Sequence, residues 1–419
     1  MSGKDYCNDL IAMASAARAG ARKLALMSSM QKNRCLEAMA DELIASKDAI
    51  AEANQRDLEA GKTRLSSAML DRLELTDARI ENMAQGFRTL TGLADPVGKV
   101  LSTWLRPNGL EIRKVSVPIG VIAIIYESRP NVTADATGLC IKSGNTVVLR
   151  GGSEAVHSNR AIVDAMLRGG RKAELPEGSI QLLPWTDRAA VQQLLKMNDW
   201  IDLVIPRGGE GLIRTVAETS TIPVIKHYKG VCHVYVHQDA DTDMALSIIE
   251  NAKCQRPGVC NAAETVLIHR DIAETFAPQL AAKLGERDVE LRGDETFCRL
   301  VPAAAAATED DWREEYLDLT LSVRIVDNLE QAVDHIAQYG SAHSDAIVTS
   351  DKQAATRFTD AVDSACVYVN ASTRFTDGGQ FGMGAEIGVS TDRIHARGPM
   401  GIDELTTYKY VVSGDGQVR

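Results

Sequence analysis

Val121-Ile122-Ala123-Ile124-Ile125 and, beyond a polar and Gly-containing stretch, Thr146-Val147-Val148-Leu149 are the segments on which the fold turns. Short runs that are apolar at every position fit strands covered on both faces, because a strand with one wet face alternates instead. Ile180-Gln181-Leu182-Leu183 and Leu203-Val204-Ile205 repeat the signal downstream, and the stretches near 157–168 and 187–197 read as helices between them. Strand and helix in alternation predict βαβ units on a parallel sheet, an open nucleotide-binding α/β domain. A second set, His233-Val234-Tyr235-Val236, Thr265-Val266-Leu267-Ile268, Val323-Arg324-Ile325-Val326, Ala346-Ile347-Val348 and Val367-Tyr368-Val369, predicts a second α/β domain. The boundary falls near Lys226 to Gly230, where Pro223, Lys229 and Gly230 interrupt the pattern. The first ninety residues follow a helical period instead: Leu36, Met39, Ala40, Leu43 and Ile44 share one face, as do Ile80, Met83, Ala84 and Phe87, with Thr76 as a cap. The run Ala303 to Ala307 is expected in or beside a helix, without a function.

A chain of 419 residues suits two or three domains. Its net charge of −11 leaves no broad basic field, so sequence-independent nucleic-acid binding is not expected. No apolar run approaches the roughly 18 residues of a membrane span, and the opening MSGKDYCNDL lacks the pattern of a signal peptide, so a cytoplasmic protein is expected. The eight cysteines are scattered without paired spacing, which points to free thiols.

One of those thiols is a candidate nucleophile. Cys260 follows a Pro257-Gly258 turn and precedes a strand, and Arg256 and Lys253 put positive charge nearby, which favours a thiolate. Arg207-Gly208-Gly209-Glu210-Gly211 stands between a strand and a helix, where small residues let backbone N–H groups reach a phosphate, although it is neither G-x-G-x-x-G nor a Walker loop. Arg150-Gly151-Gly152-Ser153-Glu154 is a similar loop, suited to a cofactor ribose or its 2′-phosphate. His227, Cys232, His233 and His237 invite a metal reading, but no carboxylate or Cys-x-x-Cys completes a tetrahedral set, and no metal is expected. The Gly-rich segment from Asn370 to Gly388, with Arg374 and Asp377, could recognise a zwitterion or simply be a surface turn.

With these motifs in view, the chain resembles the aldehyde dehydrogenase superfamily, over nearly its whole length. The most specific stretches are Tyr126-Glu127-Ser128-Arg129-Pro130-Asn131-Val132-Thr133, Gln255-Arg256-Pro257-Gly258-Val259-Cys260-Asn261 and the segment from Val333 to Ile347. Within the superfamily it is most similar to the branch that reduces an acyl phosphate of glutamate. The resemblance implies an α/β, aldehyde dehydrogenase-like fold. A Rossmann-type dinucleotide-binding domain would span 1–103 and 116–228, an α/β catalytic domain 229–390, and a small β oligomerisation arm with the C-terminal tail 104–115 and 391–419. It implies NADPH-dependent reduction of L-glutamyl 5-phosphate to L-glutamate 5-semialdehyde and phosphate through a cysteine thioester, in proline biosynthesis. Alternatives are another acylating semialdehyde dehydrogenase, a non-catalytic nucleotide-binding protein and a thiol hydrolase.

Carried over residue by residue, the resemblance implies Cys260 as nucleophile, with the oxyanion held by the Cys260 backbone N–H and by Asn370 or Ser128. It implies Arg150, Ser153, Glu154, Arg207, Gly208, Gly209 and Glu315 at NADPH, Glu315 on the nicotinamide ribose. Arg256 and Arg129 are assigned to the leaving phosphate, and His343, Ser344, Arg374 and Asp377 to the α-carboxylate and α-ammonium. No acid stands where a 2′-phosphate would be repelled, so NADPH is expected over NADH. A homo-oligomer and association with glutamate 5-kinase are the expected partnerships. Two departures from the hydrolytic members stand out. Their general-base glutamate is missing from Lys226-His227-Tyr228-Lys229-Gly230, and their oxyanion asparagine is replaced, with Ser128 the nearest match. A reductase of an acyl phosphate needs no water to deacylate its thioester, so the first departure favours that branch.

Overall fold

The computed structural model describes residues 5–419, apart from the side chains of 67 and 68. Two compact units are present, one of 5–226, Gly382–Gly388 and Met400–Arg419, the other of His227–Phe381 and Val389–Pro399. Both have an α/β fold with a parallel sheet.

The first unit opens with the helices Cys7–Leu24, Ser29–Ala45, Lys47–Gly61, Ser67–Leu73 and Asp77–Thr91. The two amphipathic faces read from the sequence are buried except at Ile44, which is exposed in the last turn of its helix: Leu36, Met39, Ala40 and Leu43 are buried on one helix, Ile80, Met83, Ala84 and Phe87 on the other. Thr76 caps the latter, its side chain accepting from the Arg79 N–H. Next comes a hairpin of β1 (Val100–Leu105) and β2 (Glu111–Pro118), longer than the arm read from the sequence. The chain's last strand, Thr406–Ser413, adds antiparallel to the other side of β2. The unit's parallel sheet comprises β3 (Val121–Tyr126), β4 (Thr146–Arg150), β5 (Ile180–Leu182) and β6 (Leu203–Arg207), in the order β5-β4-β3-β6. The apolar run of β3 is buried at every position because helices cover both faces.

In the second unit the strands are β7 (Cys232–Val236), β8 (Ala263–His269), β9 (Glu290–Gly293), β10 (Ala305–Ala306), β11 (Thr320–Val326), β12 (Ser344–Val348) and β13 (Cys366–Val369), all parallel, in the order β10-β9-β11-β8-β7-β12-β13. The alanine run at 303–307 lies beside the helix Glu295–Leu300 but forms a turn and the short edge strand β10, because methyl side chains bring too little burial to decide the conformation. Among the described residues no helix is long and apolar enough to cross a membrane.

Candidate functional site

In the first unit the chain steps from β3 to β4 on one side and returns to β6 on the other, so the order reverses between β3 and β6. Open α/β sheets bind ligands at the carboxyl ends of strands flanking such a reversal. Those ends carry Glu127-Ser128 and Arg207-Gly208-Gly209. Gly209 is the N-cap of the helix Glu210–Thr219 and supplies no capping side chain, and a Cβ on Gly209 or Gly211 would meet nothing within 4 Å. The helix therefore begins in open space with backbone donors suited to an anion. Gly209 itself donates to Glu127 Oε2 at 3.2 Å.

Arg150 ends β4. One terminal nitrogen donates to the Thr186 carbonyl at 3.0 Å, while its Nε is buried without a partner. Burial holds this guanidinium below its ordinary pKa, against the opposing pull of Glu154 and Glu127. Ser153 is exposed in a single 3-10 turn. Ser128 has φ 44°, in the left-handed region, and both its N–H and its hydroxyl donate to Glu154 Oε1, at 2.6 and 2.9 Å. These two expected site residues are thus brought together, each committed to the other. Arg129 is half-buried in the turn leading to the helix Asn131–Lys142. In that helix burial raises the Asp135 carboxyl to about 6, against a hydrogen bond from Asn131 at 3.0 Å and the charge of Arg207.

The second unit gathers its chemistry at the amino ends of β7, β8 and β12. Cys260 is half-buried, in the loop between the helix Thr242–Cys254 and β8. The loop is clamped at its base by Lys253 and Glu264, a fully buried pair 2.6 Å apart. Burial lifts the Glu264 carboxyl to about 7, opposed by Lys253, and Glu264 also accepts from the Leu317 N–H at 3.4 Å. Lys253, expected near the thiol, is instead committed to Glu264: a buried ammonium is tolerable only with a partner, and Glu264 supplies it.

Beneath the loop, the Cys232 thiol donates to the Cys260 carbonyl at 3.2 Å and lies 3.7 Å from His343 Nδ1. Burial pushes the Cys232 thiol well up, which keeps it a neutral donor. Gly230 presses so closely that a Cβ there would stand 2.5 Å from the Cys260 Cα and carbonyl carbon. Its N–H donates to Glu315 Oε1 at 2.9 Å, so the glutamate expected at the nicotinamide ribose braces this contact here.

Around the sulfur, one ring nitrogen each from His227 and His343 and the Cys260 Sγ all lie within 4.8 Å of one another. His227 Nδ1 is 2.8 Å from the Val389 carbonyl, and the two rings meet edge to face with centroids 5.5 Å apart. His343 Nδ1 is 2.9 Å from Ser344 Oγ, and the chain continues through Thr376 Oγ1 (2.6 Å) to the Tyr368 hydroxyl (2.7 Å). Ser344 is fully buried, inside this network.

Arg374 donates through Nε to Gln255 at 2.9 Å and through a terminal nitrogen to Asn261 Oδ1. Burial first, and then the neighbouring charge of Arg256, holds its guanidinium below the ordinary value, while Asp377 and Cys260 pull the other way. Arg374 thus lies near both the thiol and a second cation, Arg256, a setting for an anionic group. Asp377 Oδ1 accepts from the N–H groups of Gly379 and Gln380, at 2.9 and 3.1 Å, and so also shapes its own turn. Asn370 is placed differently from the oxyanion role expected of it. With φ 54°, it commits its whole amide to Thr349, Nδ2 donating to the carbonyl and Oδ1 accepting from the N–H, each at 2.9 Å.

Of the Cys/His group read from the sequence, His233 pairs with buried Asp345 at 2.8 Å and His237 with Thr349 at 3.0 Å. Only His227 joins a convergent set, with Cys260 and His343. Sequence reading did not bring His227 to the sulfur. The one available signal was its place in the segment where hydrolytic relatives carry a base.

The family model described as the aldehyde dehydrogenase family matches residues 7–311. A γ-glutamyl phosphate reductase of Moorella thermoacetica is 57% identical over 404 residues, covering 96% of this chain and 97% of the relative. One from Geobacter metallireducens is 55% identical over 408 residues, covering 97% and 98%. The crystal structure of γ-glutamyl phosphate reductase from Thermotoga maritima superposes with a TM-score of 0.96 at 47% identity, covering 98% of this chain and 99% of that one. This chain therefore belongs to the aldehyde dehydrogenase family, in the branch of the γ-glutamyl phosphate reductases.

Proposed function

We propose that this protein reduces L-glutamyl 5-phosphate to L-glutamate 5-semialdehyde, releasing inorganic phosphate, with Cys260 as nucleophile and NADPH as reductant. The observation that carries the reading is the half-buried Cys260 thiol flanked by His227 and His343, with the Arg374 guanidinium near it and Arg256 near Arg374. In this mechanism the Cys260 thiolate attacks the acyl carbon. A carbon–sulfur bond forms, the bond to the phosphate oxygen breaks, and phosphate leaves with its electron pair. Arg256 receives the leaving phosphate, with Arg129 assigned to the same group, and Arg374 and Asp377 take the α-carboxylate and α-ammonium.

The Cys260 backbone N–H is the proposed oxyanion donor, since Asn370 and Ser128 are committed elsewhere. His343, steadied by Ser344, lies within reach to move the proton as the thiohemiacetal collapses to the aldehyde and the free thiol.

The open start of the helix Glu210–Thr219 and the unpartnered buried Nε of Arg150 fit a dinucleotide phosphate, so Arg150, Ser153 and Arg207-Gly208-Gly209 would hold the cofactor. A bound nicotinamide dinucleotide supplies hydride to the acyl carbon. Glu154 is occupied by Ser128, which leaves Arg150 to favour the 2′-phosphate of NADPH. Glu315 is proposed to exchange its bond to Gly230 for the nicotinamide ribose.

Eight free cysteines suit a reducing compartment, and the cytoplasm is the proposed location. The sheet of β1, β2 and the last strand exposes Trp104, Tyr408, Tyr410 and Val412 along two unpaired edges, and a second copy is the proposed cover. The test is the reverse reaction, semialdehyde with phosphate and NADP, compared with NAD and with phosphate omitted. Cys260→Ala should abolish turnover and retain NADPH binding. Residual turnover at the wild-type rate would refute the nucleophile, and cofactor reduction indifferent to phosphate would indicate a hydrolytic oxidation.

A further inference from the structure

We infer that His227, Cys260 and His343 form a binding site for a thiophilic divalent cation, zinc above all, and that occupancy silences the thiol. Two imidazoles and a thiolate are the donor set of zinc and its soft neighbours, whereas magnesium and calcium demand oxygen ligands. The three donor atoms lie within 4.8 Å of one another. Tetrahedral zinc, with bonds of about 2.0–2.3 Å, spaces its ligands roughly 3.5 Å apart, so closure brings each pair in by at most about 1.3 Å. His227 and Cys260 are both half-exposed, which gives an ion access and leaves them room to turn.

The supports around the ligands fit as well. Ligating histidines characteristically hold a carbonyl or hydroxyl through their other nitrogen. His227 Nδ1 has the Val389 carbonyl at 2.8 Å, which puts the proton on Nδ1 and the lone pair on Nε2, and His343 Nδ1 has Ser344 Oγ at 2.9 Å. On binding, Cys260 gives up its thiol proton to solvent and a sulfur–zinc bond forms, with water completing the fourth position. No electron transfer is involved. Zinc binding as such is independent of the proposed function; only its inhibitory effect rests on Cys260 as the nucleophile.

The test takes the full-length chain stripped by a chelator and titrates it with zinc ions against a chromophoric competitor. The expected result is one tight equivalent, weakened at least tenfold in each of Cys260→Ser, His227→Gln and His343→Gln. One equivalent of zinc should also slow iodoacetamide labelling of the Cys260 peptide, read by mass spectrometry, at least tenfold in the wild type and not in His227→Gln. The two histidine variants are independent, so either one decides the matter should the other fail to fold. Wild-type protein that takes up no zinc, or variants that hold it as tightly, would overturn the site. Zinc that binds and protects the thiol but leaves reductase turnover untouched would uphold the site and refute the nucleophile. Absence of binding, with labelling of Cys260 still abolishing turnover, would do the reverse.

Discussion

Gly230→Ala tests how the cysteine is held in place. A Cβ at this position would stand 2.5 Å from the Cys260 Cα and carbonyl carbon and closer still to its carbonyl oxygen, whereas real Cβ atoms essentially never come within 3.0 Å. Relieving the two carbon contacts alone takes 0.5 Å to reach that limit and 0.9 Å to reach the ordinary contact range that begins at 3.4 Å, and the closer carbonyl oxygen demands more. Both partners are backbone, so no rotamer change can absorb the move. Gly230 does not have a positive φ, so alanine is conformationally acceptable and the effect isolates the contact. Displacing a reacting group by about an ångström costs roughly 10²-fold in rate, and overpacking costs about 1–3 kcal/mol of stability. The expected outcome is kcat down by about 10²-fold while the chain stays folded, because a loss of that size is a fraction of typical domain stability. The assay is cofactor oxidation at saturating substrate, with a urea transition on the same sample. A variant with kcat within twofold of wild type would refute the reasoning, since it would mean that the Cys260 backbone moves aside without consequence.

Three further outcomes follow from the same geometry. Arg150→Gln should lower kcat/KM with NADPH by about tenfold, the value of one charge-assisted contact of roughly 1.4 kcal/mol, and leave NADH within threefold; equal losses with both cofactors would remove Arg150 from the 2′-phosphate. Burial raises the Asp135 carboxyl to about 6, so the folded chain holds that proton more tightly than the unfolded one. The resulting stability is present in full below the unfolded value of 3.8 and is lost as the pH rises through about 6. Asp135→Asn removes this titration and should gain on the wild type by about 3 kcal/mol from acidic to neutral pH, measured as urea midpoints; parallel curves would contradict the burial effect. Tyr410→Lys charges an exposed ring packed edge to face on Trp104, 6.0 Å between centroids, and should lower the solution mass found by light scattering; an unchanged mass would exclude this sheet from self-association.

Much was legible in the residues alone. The continuous apolar runs at 121–125 and 146–149 can be nothing but doubly covered strands or a buried helix, and their length and β-branched content select strands. Periodicity likewise placed the helical faces of Leu36 and Ile80, and a Pro-Gly turn ahead of a strand singled out Cys260. These are local properties, decided by side chains a few positions apart. What only the tertiary structure decided is which polar groups reach one another. Lys253 looked like a charge for the thiol and instead pairs with Glu264, Asn370 looked like an oxyanion donor and instead clips Thr349, and Ser128 and Glu154 looked like members of two subsites and instead bind each other. His227 lies near the sulfur in the segment leading into β7, where Gly230, lacking a Cβ, lets the chain press against the Cys260 backbone. Burial follows from pattern, but a buried polar group takes whichever partner the packed chain brings within about 3 Å, and that depends on contacts far apart in sequence.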